Sequence, residues 1–426
     1  MPPPGSAAVV GVARSTALGV GAAYSALPTD QARGGRSGRE LSRTRHLRAF
    51  QNWVKAVLIS TYAPRPTTRV LDLACGRLGD LAKWRLAGAR DVCAVDIAAE
   101  SLRDACARVA GDRGANAGLR LRLVRADLGA TDLMGAGVLA PNEKFDAISC
   151  QMAIHYFFQT ERRALTFFRN IADRLNPGGV FLGTTTDSNV LVKRVRDGAA
   201  AASALAGSTD VSFGNSLFRV RFDAPAVGAQ WSLGNAPYGC RYNFWLAESV
   251  EDAAAASAEH ADKSVDGGGA ASASTAASAP ALASSAASSS SAAAAGIDEY
   301  LVPWQLLERL ARAAGLEPVA RDNFHEFFQK HSSTPSAHSL LSKMSVLDTD
   351  GTLGNDEWEV AGLYRVFVFR APLVAPSDAG AAASALPPMA DLVADTPRLS
   401  VPADKAPLAS KLFPSPADIV DLIGEE

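Results

Sequence analysis

Cysteine is scarce in this chain of 426 residues, which contains five of them. No two cysteines form a C-x-x-C pair, and their odd number does not suit a closed disulfide framework. The cysteine pattern therefore argues against a disulfide-stabilised secreted fold and against a structural zinc site. A reducing intracellular compartment is the better match.

Long apolar runs and excess charge are also missing. No stretch reaches the roughly 18 strongly apolar residues that a membrane-spanning helix needs, so we predict no membrane span. The net charge is only −2, which argues against bulk, non-specific binding of nucleic acid. A local basic patch is present nevertheless, and a solvated basic face explains it as well as RNA binding does. Its members are Arg33, Arg36, Arg39, Arg43, Arg45, Arg48 and Lys55.

Three segments contain too little bulky apolar surface to fold. Residues 1–17 are rich in Pro, Gly and Ala, residues 252–296 are almost entirely Ala, Ser and Gly, and residues 371–426 are rich in Pro and Ala. Because such compositions cannot bury enough apolar area to offset chain entropy, we predict disorder in all three. One folded domain is then expected over residues 18–370, with residues 252–296 as an insertion within it.

Apolar strands alternate with helical patterns through the first half of this domain. The strands are expected at residues 69–73, 92–95, 119–124, 145–150 and 180–184, and the helices at about 40–61, 80–87, 99–109 and 160–175. A later helix at about 303–314 and a strand at 364–369 follow the insertion. The alternation predicts an α/β fold with a mostly parallel sheet and helices on both of its faces.

Polar residues stand at or just past the ends of these strands, where ligands of parallel sheets bind. They are Asp72, Asp96, Asp127 and Gln151. After the first strand, Gly76 and Gly79 allow a backbone to approach a ligand closely. Asp96 comes about 20 residues after this loop, where a carboxylate can accept both hydroxyls of a ribose. Asp127 suits an adenine amino group, although alone it could simply begin a surface turn.

The same loop excludes two common nucleotide-binding classes. It lacks the G-x-G-x-x-G spacing of dinucleotide sites and the G-K-[ST] of a P-loop, which disfavours dehydrogenases and kinases. Residues 348–352 and Glu359 superficially suggest a calcium loop. Leu353 stands where the sharp turn of such a loop requires glycine, so we predict no metal site.

Several ordered segments resemble the eukaryotic mRNA cap (guanine-N7) methyltransferases. Residues 46–55, HLRAFQNWVK, are similar to their R-N-F-N-N-W-x-K, and residues 70–84 to their V-L-D-L-G-C-G-K-G-G-D-L-x-K-W. Residues 149–156 resemble S-C-Q-x-x-x-H-Y, and residues 238–244 resemble F-G-C-K-Y-x-F. The resemblance runs from about Val20 to Arg370. Where the family has glycine, this chain has Ala74 and Leu78; we expect Ala74 to fit if its backbone angles are ordinary.

The resemblance implies a class I S-adenosylmethionine-dependent methyltransferase fold, Rossmann-like, and methyl transfer to N7 of the guanosine cap of GpppN-RNA. It implies contacts with S-adenosylmethionine by Lys55, Ala74, Gly76, Asp96, Asp127, Gln151 and Tyr156. It implies contacts with the cap or its phosphates by Gln51, Asn52, Arg77, Lys83, Arg108, His155, Glu299 and Tyr364. Capped RNA is the implied partner, with room for other capping or transcription proteins, and the implied location is the nucleus.

The chemistry of this reaction needs placement more than proton transfer. Guanine N7 carries a free lone pair at neutral pH, so no residue is expected to act as an acid or base. His155, Tyr156 and Glu299 would position N7 about 3–3.5 Å from the methyl carbon. Glu299 suits the N1–H and exocyclic amine of guanine, a two-point pairing that rejects adenine. Arg77, Lys83 and Arg108 would serve the triphosphate as charge-assisted donors.

Other interpretations of these residues stay open from sequence. His155 could be a core histidine, Tyr156 could be core packing, and Glu299 could be an acid that begins a helix. The chain could also be a class I methyltransferase of another nucleobase or a small molecule. A catalytically inactive relative that binds RNA or protein is a further alternative, to which Ala74 and Leu78 point.

Overall fold

The structure is a computed structural model that describes residues 19–22, 24–25, 42–202, 211–222, 238–247, 296–373, 411 and 415–423. The predicted disorder of residues 1–17 lies outside the described residues, as does that of 252–295. Arg33, Arg36 and Arg39 of the basic patch lie outside them as well.

Besides the helical residues 19–22 and 24–25, the described part of the chain contains nine α-helices. They are α1 Arg45–Tyr62, α2 Leu81–Ala87, α3 Ala99–Gly111, α4 Glu161–Arg169, α5 Ser188–Ala202, α6 Trp304–Ala313, α7 Phe324–His331, α8 Pro335–Lys343 and α9 Asn355–Ala361. Two short 3-10 helices span Ile154–Gln159 and Pro416–Asp418. The strands are β1 Arg69–Leu73, β2 Asp91–Asp96, β3 Arg120–Arg125, β4 Phe145–Gln151, β5 Leu175–Thr186, β6 Val211–Gly214, β7 Phe218–Phe222, β8 Arg241–Leu246, β9 Ile297–Tyr300, β10 Glu317–Ala320, β11 Tyr364–Arg370 and β12 Val420–Asp421.

The larger sheet has eight strands in the order β10-β11-β5-β4-β1-β2-β3-β12. All neighbours from β5 to β12 are parallel, and β11 runs antiparallel to both β5 and β10. The chain builds outward from β1 to β3 and then returns to β4 on the other side of β1. This reversal between β1 and β4 is where a ligand crevice is expected. The predicted class I fold is confirmed.

Helices cover both faces of this sheet because alternate strand residues point to opposite sides. In β1, Val70 packs into a core that includes Phe50 and Trp53 of α1. Leu71 and Leu73 pack into a second core, on the other face, with helices α4 and α6. The apolar strand pattern of the sequence thus reflects burial on both faces.

A second sheet was not predicted from sequence. It is antiparallel and has the strand order β6-β7-β8-β9. Its signal in the sequence was the alternation of apolar and charged residues in Phe218–Phe222. In the structure the Phe and Val residues of this strand are buried and both arginines are exposed. In this sheet Tyr242 of β8 lies directly opposite Glu299 of β9. The second sheet therefore positions Glu299, which was predicted to be a site residue.

Most boundaries differ from the predictions by one or two residues, and the larger departures are these. Helix α1 begins at Arg45 instead of about 40, and α4 ends at Arg169 instead of about 175. Strand β5 begins at Leu175, with residues 176–179 looping out opposite a single residue of β4. Residues 415–423 lie within the tail predicted to be disordered, yet they form a 3-10 turn and a strand that pairs with β3. Backbone pairing with an open sheet edge orders this part of the tail.

Candidate active site

A cavity of about 60 Å³ opens at the carboxyl ends of β1 to β4. Its walls are mostly apolar and include one carboxylate, that of Asp127. Its lining residues include Ala74, Ile97, Ala126, Asp127, Tyr156 and Arg163. This volume is well below the roughly 300 Å³ of the smallest typical ligand pockets, so the cavity would hold only part of a cofactor. Its apolar walls with few polar groups suit the flat base of an adenosine. Of the residues predicted to contact the cofactor, Ala74, Asp127 and Tyr156 line this cavity.

The loop after β1 adopts left-handed backbone conformations at three positions. The φ angles are 57° at Ala74, 52° at Gly76 and 54° at Leu78. Gly76 adopts such a φ without steric cost, whereas each of the other two residues costs about 1–2 kcal/mol. The condition under which Ala74 was expected to fit, ordinary backbone angles, is therefore not met. The side chain of Leu78 is buried in the core, which offsets the strain at that position.

Asp96 ends β2 beside this loop. Its Oδ2 accepts a hydrogen bond from the backbone N–H of Gly76 at 2.7 Å, and its Oδ1 accepts one from Ala98 at 2.8 Å. Burial raises the pKa of Asp96, while these backbone donors act in the opposite direction. The backbone N–H of Ile97 also bonds to this carboxylate. Because a carboxylate has about four lone-pair sites, acceptor capacity for a ribose hydroxyl remains. The geometry thus fits the predicted role of Asp96.

Asp127 has a partner that the sequence did not reveal. Arg163 of α4 donates from Nη1 to Oδ2 at 2.9 Å and from Nη2 to Oδ1 at 2.7 Å. Oδ1 also accepts from the N–H of Gly129 at 2.9 Å. Both side chains of this bidentate pair are buried. The contact of Asp127 with an adenine amino group stays a prediction, and it would have to share a carboxylate that Arg163 already holds.

Asp80 joins residues predicted to serve different ligands. Lys55 lies 3.0 Å from Asp80 Oδ2, and Lys83 lies 2.7 Å from Oδ1. Lys83 also donates to Asn52 Oδ1 at 3.0 Å. Burial alone would raise the pKa of Asp80, but the two lysines overcome this effect and hold its pKa at about 2. At nearby Asp72, burial and the negative charge of Asp80 outweigh the opposing effects of Ser149 and Lys55 and raise the pKa to about 7.

Two further residues predicted to bind the cap or its phosphates lie at helix α3. Arg77 Nε lies 3.0 Å from Asp104 Oδ2, and Arg108 is exposed one helical turn beyond Asp104. Gln51 is half-buried beside Asn52 on α1. Arg77 and Arg108 are therefore each within about one turn of Asp104, while Gln51 lies one helical turn before Lys55 on α1.

His155 and Glu299 form the centre of the proposed guanine site. His155 Nε2 lies 3.5 Å from Glu299 Oε1, and both residues are buried. Neither ring nitrogen of His155 has a hydrogen-bond partner among the described residues. Burial lowers the pKa of His155 to about 3. The ring is therefore neutral at pH 7, and its contact with Glu299 is not an ion pair.

Glu299 is held from the other side by the second sheet. Tyr242 Oη donates to Glu299 Oε2 at 2.6 Å and lies 2.8 Å from Thr186 Oγ1. Burial raises the pKa of Glu299 to about 7, and the bond from Tyr242 acts against that rise. Sequence reasoning assigned no role to Tyr242 or Thr186. Their only signal was that Tyr242 lies in the family-like segment at residues 238–244.

Aromatic hydroxyls complete this part of the site. The hydroxyls of Tyr24 and Tyr156 lie 3.0 Å apart, and the two rings meet edge to face. Tyr364 is buried. Burial is the main cause that raises the pKa of Tyr364, and the negative charge of Glu299 raises it further. Gln151 lies at the end of β4, where its Oε1 accepts from Thr184 at 3.0 Å. Tyr24 lies within the range of the family resemblance, which begins at about Val20, but was not predicted to be a site residue.

The described residues contain no group of three or more His, Cys, Asp or Glu side chains that could hold a metal ion. Within the same part of the chain, no helix combines the length and the apolar character needed to cross a membrane.

Comparison with known proteins supplies the family. A family model described as the mRNA (guanine-N(7))-methyltransferase domain matches residues 14–254 and 291–372. The mRNA cap guanine-N(7) methyltransferase 1 of Oryza sativa subsp. japonica is 32% identical over 340 residues, covering 78% of this chain and 76% of the rice protein. The mRNA cap guanine-N(7) methyltransferase of Schizosaccharomyces pombe is 27% identical over 338 residues, covering 78% and 77%.

Proposed function

This chain belongs to the mRNA (guanine-N(7))-methyltransferase family, and we propose that it methylates N7 of the guanosine cap of GpppN-RNA with S-adenosylmethionine as the methyl donor. The observation that carries the proposal is the buried Glu299, held by Tyr242 and placed 3.5 Å from a neutral His155. A buried carboxylate with free acceptor capacity suits a ligand that presents N–H donors.

The cofactor side of the site uses the loop after β1. When bound, S-adenosylmethionine supplies a methyl group on a sulfonium, which is already an activated leaving group. Asp96 retains lone pairs for ribose hydroxyls, and the apolar walls at Ile97 and Ala126 suit the adenine ring. Tyr156 lines the same cavity and follows His155 directly, so one short 3-10 helix contributes to both halves of the site.

The guanine side provides recognition and charge stabilisation. Glu299 would accept from N1–H and from the exocyclic amine, which adenine cannot reproduce. Tyr242 fixes the carboxylate through Oε2 and leaves Oε1 facing His155. The negative charge of Glu299 also favours the positive charge that guanine acquires when N7 is methylated. Tyr364 closes this side with a buried ring.

Proton transfer has no part in the proposed reaction. His155 has a pKa of about 3 because of its burial, so it enters as a neutral ring. N7 attacks through a lone pair that is free at neutral pH, and the product keeps the resulting positive charge. Rate enhancement therefore comes from placement and from electrostatic complementarity.

The cationic residues at the rim would hold the triphosphate. Lys83 and Arg77 are each held by an aspartate, Asp80 at 2.7 Å and Asp104 at 3.0 Å. Phosphate oxygens would compete for these side chains as charge-assisted acceptors. Binding of capped RNA should consequently weaken as salt rises.

Incubation with GpppA-capped RNA and methyl-labelled cofactor tests the proposal. We expect label on the cap guanine after nuclease digestion, and none with m7GpppA-capped RNA as the matched control. Label on another base, or on the control RNA, would contradict the assignment to N7. Calorimetric titration with S-adenosylmethionine distinguishes an active enzyme from a catalytically inactive relative, because no saturable binding of the cofactor is expected for the inactive relative.

A nuclear location and contacts with other capping or transcription proteins are also proposed, on the resemblance to the family alone. Imaging of the tagged full chain and co-purification with transcription complexes test these two proposals. Exclusion of the tagged chain from the nucleus would contradict the first.

A further inference from the structure

A strand beyond the family domain lies against the cofactor side of the sheet. The match to the family model ends at residue 372, whereas β12 is formed by Val420 and Asp421. This strand runs parallel to β3, with Val420 opposite Val124 and Asp421 opposite Arg125. The end of the tail thus covers the edge of β3 where that strand approaches the site.

Arg125 connects this strand to the rest of the sheet in three ways. Its carbonyl oxygen accepts from the N–H of Leu422 at 2.9 Å. Its Nη1 donates to Asp421 Oδ2 at 2.8 Å, and its Nε donates to the carbonyl oxygen of Ile97 at 3.4 Å. One guanidinium therefore bridges the C-terminal strand and the residue that follows Asp96. The planar fork of arginine permits this double use.

The residue at the far end of this bridge belongs to the cofactor cavity. Ile97 lines the cavity and is preceded by Asp96, the residue proposed to hold the ribose. On the β3 side, the N–H of Ala126 donates to the carbonyl oxygen of Asp96 at 2.9 Å, and Ala126 also lines the cavity. Arg125 is thus tied to two wall residues of the proposed adenosine pocket.

We propose that Arg125 and Asp421 are positioning residues for the cofactor: the C-terminal strand orients Arg125, and Arg125 fixes the carbonyl of Ile97 in the cavity wall. The inference rests on the proposed cofactor site. If Arg125 is positioned in this way, the affinity for the cofactor, but not the affinity for the cap, depends on strand β12, which lies outside the residues that match the family model.

Asp421→Asn in the full chain is the first test. The ion pair is partly exposed, with side-chain exposures of 22% and 36%, so we expect its loss to weaken cofactor binding by about two- to fivefold. The Kd for S-adenosylmethionine from calorimetry and the KM for the cofactor should rise together. The kcat and the KM for GpppA-capped RNA should not change. Glu308→Gln is the matched control, because Glu308 also forms an exposed 2.8 Å pair, with Arg312 on α6.

Arg125→Lys separates the contact of Arg125 with Ile97 from the attachment of strand β12 to β3. A lysine can still pair with Asp421 but lacks the second N–H edge that reaches Ile97. Hydrogen exchange at the N–H of Leu422 should therefore stay slow, while the cofactor Kd rises as in Asp421→Asn. Leu422→Pro removes the backbone donor itself, and it should both release the strand and raise the Kd further.

The outcomes distinguish this inference from the proposed function. If the unmodified chain does not bind S-adenosylmethionine, the proposed function fails first. If it binds and the variants lower only the melting temperature, β12 is a stabilising clamp and the positioning role is refuted. A rise in the KM for capped RNA as large as the rise in the KM for the cofactor would refute the positioning role as well.

Discussion

The two halves of the site differ in how their buried charges are satisfied. On the cofactor side, Asp96 is bonded to backbone amides and Asp127 to Arg163. On the guanine side, both ring nitrogens of His155 lack a hydrogen-bond partner among the described residues. Burial raises the pKa of Glu299 there to about 7, as it does for Asp72 in strand β1, so the unpartnered nitrogens of His155 are what set the guanine side apart.

This difference separates two modes of recognition. A ligand on the cofactor side must share or replace bonds that already exist, so binding there is an exchange of partners. A ligand on the guanine side meets polar groups that the fold has already removed from water. New hydrogen bonds to such groups gain more than bonds that replace those to water. Specificity should therefore concentrate in the guanine half.

Breaking the pair on the cofactor side should have the largest effect on stability. Arg163→Met leaves the carboxylate of Asp127 buried without its charged partner, and we expect a loss of about 3–5 kcal/mol in the free energy of unfolding. Urea denaturation measures it. Arg312→Met, which removes an exposed pair, is the control and should cost less than about 1 kcal/mol. A similar small cost for both variants would contradict the comparison.

Glu299→Gln tests recognition on the guanine side. Glutamine keeps the shape but brings an N–H2 donor towards the donors of guanine, so kcat/KM for GpppA-capped RNA should fall about 100-fold. The Kd for S-adenosylmethionine should stay the same. Asp298→Asn is the matched control, because the adjacent carboxylate faces Arg241 and Asn243 instead. An equal fall in kcat/KM for the two variants would show that Glu299 only supports the structure of strand β9 and does not recognise guanine.

The pH profile should report the same carboxylate. Guanine donors need the ionised form of Glu299, and burial raises its pKa to about 7. Protonation below that pH therefore removes the acceptor, and kcat/KM for capped RNA should fall about tenfold per pH unit as the pH drops below 7. Asp72 has a similar pKa, so the Glu299→Gln variant is needed as the control. A fall of the same steepness in that variant would assign the titration elsewhere.

The smallest expected effect is on the strained loop. Ala74→Gly removes a Cβ from a position with φ of 57° and should stabilise the fold by about 1 kcal/mol. Thermal unfolding measures the change. Ala82→Gly, at an exposed position of helix α2, is the control and should destabilise by about 1 kcal/mol. Destabilisation by both substitutions would show that the strain at Ala74 is compensated locally.

Local patterns predicted the elements that carry most of the site. The strand at residues 69–73, the loop after it and Asp96 follow from short apolar runs, glycines and spacing, which depend on near neighbours in the chain. The roles of His155 and Glu299 depended on the family resemblance, because neither residue stands in a locally diagnostic pattern. Their assignment to the cap remains a prediction that the substitutions above test.

The sequence by itself determined the parallel sheet, the end of it at which ligands bind, and the family of the chain. Only the tertiary structure decided which polar groups meet: Glu299 with Tyr242 across 57 positions, Asp127 with Arg163 across 36, and Arg125 with Asp421 across 296. The physical reason is range. Strand and helix patterns arise from side chains a few positions apart, whereas partners for buried charges are chosen by the packing of whole elements.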